Sequence, residues 1–164
     1  MKLIRQFPRL HLKQDAFPFQ KDAFDLIKDK EYFAIFHEQG LGKTKIAIDL
    51  SMFWLQNKIV DQMFIVAKKN LVNNWYEELK KHTFLIPTKL SNNVITNTEA
   101  ILSGTNILLM NYEVINNECS RIELLCKTRK IRIILDESAK IKNPKSVISK
   151  KMHDLSTLFT KKII

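Results

Sequence analysis

The chain has 164 residues and a mass of 19.3 kDa, which is enough for one α/β domain with a buried core. Its 45% apolar and 9% aromatic residues exclude a disordered chain. Charged residues interrupt every apolar run well before the roughly 20 residues that a membrane span requires, and the basic N-terminus lacks the apolar core of a secretory signal. We therefore expect an intracellular, cytoplasmic protein without a membrane segment.

The formal net charge of +10 is concentrated towards the C-terminus. Residues 121–164 contain twelve of the 27 basic residues but only four of the 17 acidic ones. A focused positive region indicates a polyanionic partner, most simply a nucleic acid. A solvated surface or a face for an acidic protein would produce the same pattern, so charge alone leaves the partner open.

Hydrophobic periodicity predicts alternating helices and strands along the chain. In chain order the predicted elements are helix 18–29, strand 32–36, helix 43–56, strand 62–67, helix 70–81, a short strand within 89–95, strand 106–110, helix 118–127, strand 131–135, helix 146–158 and strand 161–164. This alternation predicts an α/β fold, with a mostly parallel sheet flanked by helices on both faces and a ligand site at the carboxyl ends of its strands. No repeat or linker divides the chain, so we expect a single domain over residues 1–164.

A glycine-containing loop joins predicted strand 32–36 to predicted helix 43–56. Gly40 and Gly42 are two of only three glycines, and they allow the backbone to turn N–H groups towards an anion at the positive end of the helix dipole. Lys43 would then meet the β- and γ-phosphates of ATP, and the Thr44 hydroxyl would hold Mg²⁺. The loop predicts an ATP site, although His37 stands where the usual pattern has its first glycine.

A pair of carboxylates ends predicted strand 131–135. Asp136 is expected to hold Mg²⁺ through its water shell, and Glu137 is expected to polarise the water that attacks the γ-phosphate. Together with the phosphate loop, this pair predicts a catalytic Mg²⁺-ATP site that uses Lys43, Asp136 and Glu137.

Five blocks in the chain resemble, in order, those of Swi/Snf-type DNA-dependent ATPases of helicase superfamily two. The blocks are FPFQ at 17–20, HEQGLGKTKIAI at 37–48, IVAKKNLVNNWYEEL at 65–79, LLMNYE at 108–113 and DESAKIKNP at 136–144. The resemblance covers residues 16–164 and implies a RecA-like P-loop lobe.

The same resemblance implies which residues contact each ligand. The implied nucleotide contacts are Phe19, Gln20, Gln39, Gly40, Leu41, Gly42, Lys43, Thr44 and Lys45. The implied contacts with double-stranded DNA are Lys68, Lys69, Asn70, Asn73, Asn74, Tyr112, Lys140 and Lys142. Trp75 is different, because its spacing of four residues from Leu71 and from Leu79 predicts a core position.

Two departures from the family pattern bear on activity. Ala139 stands where the family usually has a histidine that couples ATP chemistry to DNA. The chain also ends before the family's second lobe, which carries an arginine finger, so we expect weak or no hydrolysis by this chain alone.

The leading interpretation is therefore the ATP-binding lobe of a DNA-dependent ATPase or translocase that works with a second RecA-like lobe. A stand-alone nucleotide- and DNA-binding regulatory protein without motor activity is the alternative, and a small P-loop kinase is a third. The abundance of Lys, Ile and Asn favours an AT-rich bacterial or phage genome.

Overall fold

In the computed structural model, residues 10–35, 41–136, 146–159 and 161–163 are described, and they form alternating helices and strands. The helices are α1 (Pro18–Ile27), α2 (Lys43–Gln56), α3 (Val72–His82), α4 (Val94–Leu102), α5 (Tyr112–Thr128) and α6 (Val147–Ser156). The strands are β1 (Tyr32–Phe33), β2 (Gln62–Ala67), β3 (Thr88–Lys89), β4 (Ile107–Asn111), β5 (Ile131–Leu135) and β6 (Lys161–Ile163).

The described strands form one six-stranded sheet in the order β1–β6–β5–β2–β4–β3, and each neighbouring pair is parallel. Near the end of β2, Val66 pairs in register with Met110 of β4 and with Leu135 of β5. The carboxyl ends of these three strands therefore lie side by side at the same end of the sheet. This arrangement confirms the predicted α/β fold with a parallel sheet.

Side chains that alternate along β2 divide the apolar core between the two faces of the sheet. Met63 and Ile65 pack with residues of α2 and α3, whereas Phe64 and Val66 pack with residues of α5 and α6. Because helices cover both faces, all six residues of β2 are buried. This explains why the strand reads as a nearly continuous apolar run.

The short strand expected within 89–95 corresponds to β3, which overlaps only the first residue of that range. The observed β3 ends at Lys89, and α4 begins after Asn93, whose side chain caps the helix by accepting hydrogen bonds from Ile95 N and Thr96 N. The β-branched residues at the start of α4 favour a strand locally. The Asn93 cap and the burial of Ile101 on the core face favour the helix instead.

The predicted strand 32–36 is in the right place, but it is shorter and more exposed than expected. Within the described residues β1 contains only Tyr32 and Phe33, and Phe36 lies outside them. At the edge of the sheet β1 pairs with β6 alone, and Tyr32 remains 59% exposed. β1 is therefore an edge strand, whereas its apolar run predicts a buried strand.

No helix in the described part of the chain combines the length and the apolar character needed to cross a membrane.

Candidate nucleotide site

An open cleft of about 910 Å³ lies at the carboxyl ends of the strands. Most of the sequence-predicted nucleotide and metal residues line it, namely Phe19, Gln20, Leu41, Gly42, Lys43, Thr44, Lys45 and Asp136. The predicted site residues Gln39, Gly40 and Glu137 lie outside the described residues. The fold thus brings the beginning of α1, the beginning of α2 and the end of β5 to one site.

The first turn of α2 has the properties of an anion-binding helix terminus. Gly42 precedes the helix with φ +72°, in the left-handed region, and the first hydrogen bond of the helix runs from Ile46 N to Gly42 O at 3.2 Å. No side chain of the described residues caps this terminus, and the first turn contains no acidic residue. The amide dipoles at the terminus, together with the positive charge of Lys43, favour an anion such as phosphate.

Gln20 connects the start of α1 to the loop before α2. Its Oε1 accepts a hydrogen bond from Phe17 N at 3.0 Å, and its Nε2 donates to Leu41 O at 3.5 Å. The side chain is buried, while the rings of Phe17 and Phe19 are exposed and stack with their centroids 5.9 Å apart. These two rings place a flat apolar surface at the cleft, suited to an aromatic base.

Lys45 lines the cleft, but its ammonium group is engaged within α2. Lys45 Nζ lies 2.5 Å and 2.6 Å from the two carboxylate oxygens of Asp49, and both side chains are buried. Burial raises the pKa of Asp49, and the hydrogen bond and charge of Lys45 oppose that shift. The position can therefore meet an anion through its backbone N–H rather than through its side-chain charge.

Asp136 is held by a residue of β2 and by residues of the helices that follow β2 and β4. Its backbone N–H donates to Val66 O at 2.9 Å, and its carbonyl accepts from the Tyr112 hydroxyl at 2.8 Å. Its carboxylate Oδ2 accepts a hydrogen bond from Trp75 Nε1 at 2.7 Å. Asp136 therefore has a defined position at the cleft, as required of a metal-binding carboxylate.

Sequence reasoning did not assign Trp75 to the site. The residue is 6% exposed and belongs to the core between α2, α3 and the sheet, as its spacing predicts. Its indole N–H nevertheless reaches the cleft and contacts Asp136. The sequence offers one indication of such a contact, because a buried tryptophan N–H usually finds a hydrogen-bond acceptor. It does not identify Asp136 as that acceptor.

The predicted DNA-contacting residues of the 65–79 block lie just beyond β2 and in the first turn of α3. Lys69, Asn70, Asn73 and Asn74 are exposed there, whereas Lys68 is half-buried. Asn73 Oδ1 accepts a hydrogen bond from Lys89 Nζ at 2.8 Å, which adds a further cation to this surface. Five polar or basic side chains of the block thus share one end of the sheet.

Of the remaining predicted DNA contacts, Tyr112 is not on this surface. Tyr112 is only 1% exposed, because its ring packs in the core and its hydroxyl is bonded to the carbonyl of Asp136. Lys140 and Lys142 lie outside the described residues.

The parallel α/β sheet, with its cleft at the strand ends, is the arrangement expected of a RecA-like domain. Solved structures support this class. The Sulfolobus solfataricus SWI2/SNF2 ATPase core in complex with dsDNA matches with a TM-score of 0.77 and 21% identity, over 93% of this chain and 32% of that one. The Pyrococcus furiosus Hef helicase domain matches with a TM-score of 0.67 and 17% identity, over 88% of this chain and 31% of that one. At these identities the likeness shows the fold.

Residues 30–163 match the model of the SNF2-related domain, and the chain belongs to this family. It is 27% identical over 139 residues to the ISWI chromatin-remodeling complex ATPase ISW1 of Saccharomyces cerevisiae, and 29% identical over 116 residues to an uncharacterized ATP-dependent helicase of Mycoplasma pneumoniae. These matches cover 80% and 69% of this chain but only 12% and 11% of the relatives. Because the relatives include a yeast protein, they do not support the bacterial or phage origin suggested by composition.

Proposed function

We propose that this chain is the ATP-binding lobe of a Swi/Snf-type DNA-dependent ATPase, which binds Mg²⁺-ATP in the cleft and contacts duplex DNA. The observation that carries the proposal is the meeting of two features in one cleft. The α2 terminus, with Lys43 and Thr44, attracts a phosphate chain, and Asp136 supplies a carboxylate at the same place. Membership of the SNF2-related family adds support, as does the ATP-dependent activity in the names of its relatives.

Each residue of the cleft has a distinct part in this proposal. The Lys43 ammonium, at the start of α2, would neutralise the charge of the β- and γ-phosphates. Thr44 and Asp136 would hold Mg²⁺, which would neutralise charge on the phosphates when bound. Glu137, which lies outside the described residues, would polarise the attacking water. Lys45 contributes only its backbone N–H, since its side chain is paired with Asp49.

Efficient hydrolysis requires a further positive charge at the γ-phosphate. An arginine finger contributes about 10³–10⁵ in rate where it has been measured. By resemblance to the family, that arginine belongs to a second RecA-like lobe, acting in cis or in trans. We therefore expect this chain alone to bind nucleotide and to turn it over slowly.

The surface formed by Lys68, Lys69, Asn70, Asn73 and Asn74 is the proposed contact with duplex DNA. Its lysines can pair with phosphates, and its amides can donate hydrogen bonds to the sugar–phosphate backbone. The solved complex of the Sulfolobus solfataricus core with dsDNA supports a DNA partner for this fold. Since these contacts are with the backbone, we expect weak dependence on sequence and strong dependence on salt.

Calorimetric titration with Mg²⁺-ATP tests the nucleotide site. Lys43→Ala should weaken binding at least about tenfold, since it removes a direct charge contact with phosphate. Lys127→Ala is the matched control, because this exposed lysine lies on α5 at the other face of the sheet and should leave binding unchanged. Equal binding by wild type and Lys43→Ala would contradict the proposed site. Turnover by the isolated chain at the rate of a complete motor would contradict the need for a second lobe.

A further inference from the structure

A hydrogen bond joins the core of the α2–α3 face to the carboxylate at the end of β5. Trp75 Nε1 lies 2.7 Å from Asp136 Oδ2, across 61 residues of sequence. The Trp75 ring is 6% exposed and packs among core residues that include Leu79. Because the surrounding side chains hold the ring, the indole N–H is a donor with a fixed position.

This donor holds a part of Asp136 that its other contacts leave free to rotate. The bonds to Val66 O and from the Tyr112 hydroxyl involve the backbone N–H and carbonyl of Asp136, so they position its main chain. Rotation of the carboxylate about the side-chain bonds is restrained by Trp75. Among the described residues, Trp75 is the hydrogen-bond donor recorded for this carboxylate. A carboxylate with one oxygen engaged in this way offers the other to a metal ion or its bound water.

We propose that Trp75 is a positioning residue of the metal site, which orients Asp136 so that Mg²⁺ binds with the nucleotide. This inference rests on the proposed function, since it assigns a supporting partner to the carboxylate that holds Mg²⁺ there.

Trp75→Phe removes the N–H donor and keeps an aromatic ring in the core. Partners of metal ligands typically contribute about 10–100-fold to metal affinity or activity. We therefore expect the Mg²⁺ concentration for half-maximal ATP binding to rise by about that factor, while binding of ATP without Mg²⁺ changes less than about twofold. Calorimetry of ATP binding over a series of Mg²⁺ concentrations measures both quantities.

Trp54→Phe is the matched control. Trp54 is the chain's other tryptophan, it is fully buried, and its Nε1 also donates a hydrogen bond, to Lys28 O at 2.8 Å. It is not part of the cleft lining, so its loss should reduce stability without changing the Mg²⁺ dependence. If both variants change ATP binding equally, or if Trp75→Phe weakens binding equally with and without Mg²⁺, Trp75 acts through packing and the inference is overturned.

Tryptophan fluorescence provides a readout that does not require bound nucleotide or Mg²⁺. In a Trp54→Phe background the emission reports Trp75 alone, and adding Asp136→Asn removes the charge next to its indole. We expect the Trp75 emission maximum to differ between these two proteins in the absence of nucleotide. An unchanged spectrum would overturn the inference.

The two proposals fail in different ways. Absence of any ATP binding by wild type would refute the proposed function. Normal ATP binding with unaltered Mg²⁺ dependence in Trp75→Phe would refute only the role of Trp75.

Discussion

The side-chain amide of Gln20 lies directly against the backbone of Gly42. A Cβ atom at position 42 would come within 2.3 Å of Gln20 Nε2, and the same nitrogen donates to Leu41 O. One buried side chain thus holds the beginning of α1 against the turn that opens α2. Position 42 therefore requires glycine for two separate reasons, namely its positive φ and the close approach of Gln20.

Gly42→Ala should damage both stability and nucleotide binding. The left-handed backbone costs a non-glycine residue about 1–2 kcal/mol, and the new methyl group displaces Gln20. We expect the free energy of unfolding to fall by about that amount in urea titrations, and Mg²⁺-ATP affinity to fall about tenfold or more in calorimetry.

Gly104→Ala separates the two effects. Gly104 has the same φ of +72°, but a Cβ there meets nothing within 4 Å. It should lose a similar amount of stability and keep normal ATP affinity. Equal loss of affinity in both variants would contradict a specific role for the contact between Gly42 and Gln20.

Tyr112→Phe tests how this residue acts. Its hydroxyl donates to the carbonyl of Asp136, and the side chain is almost fully buried. We expect the free energy of unfolding to fall by about 0.5–1.5 kcal/mol, the usual contribution of one hydrogen bond, while DNA affinity stays within about twofold. Chemical denaturation and a DNA-binding titration provide the two measurements. A tenfold loss of DNA affinity with normal stability would support the direct DNA contact that the resemblance implies.

Replacing Lys68 and Lys69 together by alanine should reduce the salt dependence of DNA binding. Each phosphate contact contributes about 0.9 to the slope of log K against log salt concentration, so the double variant should lose about 2. Fluorescence anisotropy with a short duplex at several salt concentrations measures this slope.

Lys30→Ala with Lys58→Gly is the matched control for that charge change. Both lysines are exposed, and they precede β1 and β2 at the opposite edge of the sheet. Lys58 has a positive φ of 54°, which glycine accepts. If this control lowers the slope as much as the test variant does, the proposed DNA surface that contains Lys68 and Lys69 is not the preferred binding site.

Arg132→Met should stabilise the protein near neutral pH. Arg132 is fully buried in β5, where its guanidinium contacts the Trp54 ring and donates to Lys30 O at 3.2 Å. Its Nε and one terminal nitrogen have no hydrogen-bond partner among the described residues. Replacing buried ionic groups by apolar residues of similar size is often neutral or stabilising by about 1–4 kcal/mol, and urea unfolding at pH 7 measures the difference.

The advantage of Arg132→Met should shrink as the pH rises. Burial lowers the pKa of Arg132 to about 8 in the folded protein, well below its value in the unfolded chain. Above pH 8 the unfolded chain therefore holds more protons than the folded one, and the free energy of unfolding of wild type rises with pH. If the difference in the free energy of unfolding between Arg132→Met and wild type stays constant from pH 7 to pH 9, this linkage is contradicted.

Elements with strong local signals were predictable to the residue. The bounds of α2, β2 and β5 agree with the prediction, because a phosphate-loop glycine precedes the helix and uninterrupted apolar runs form the two buried strands. α4 was not predictable in this way, since its β-branched first turn favours a strand until Asn93 caps it. Lys45 was predicted as a ligand contact from its position, and only the structure shows that its charge is paired with Asp49.

The functional groups of the cleft, and the order of the elements that carry them, follow from the sequence alone. A glycine turn with Lys43 and Thr44 opens a helix, and Asp136 ends an apolar strand, because these patterns depend on neighbouring residues alone. Tertiary structure decided which distant groups support that carboxylate. Trp75 and Tyr112, 61 and 24 residues from Asp136, reach it because the parallel register of β5, β2 and β4 places the ends of these strands side by side. Burial of the two rings then directs their polar atoms to the nearest acceptors, which a sequence pattern does not specify.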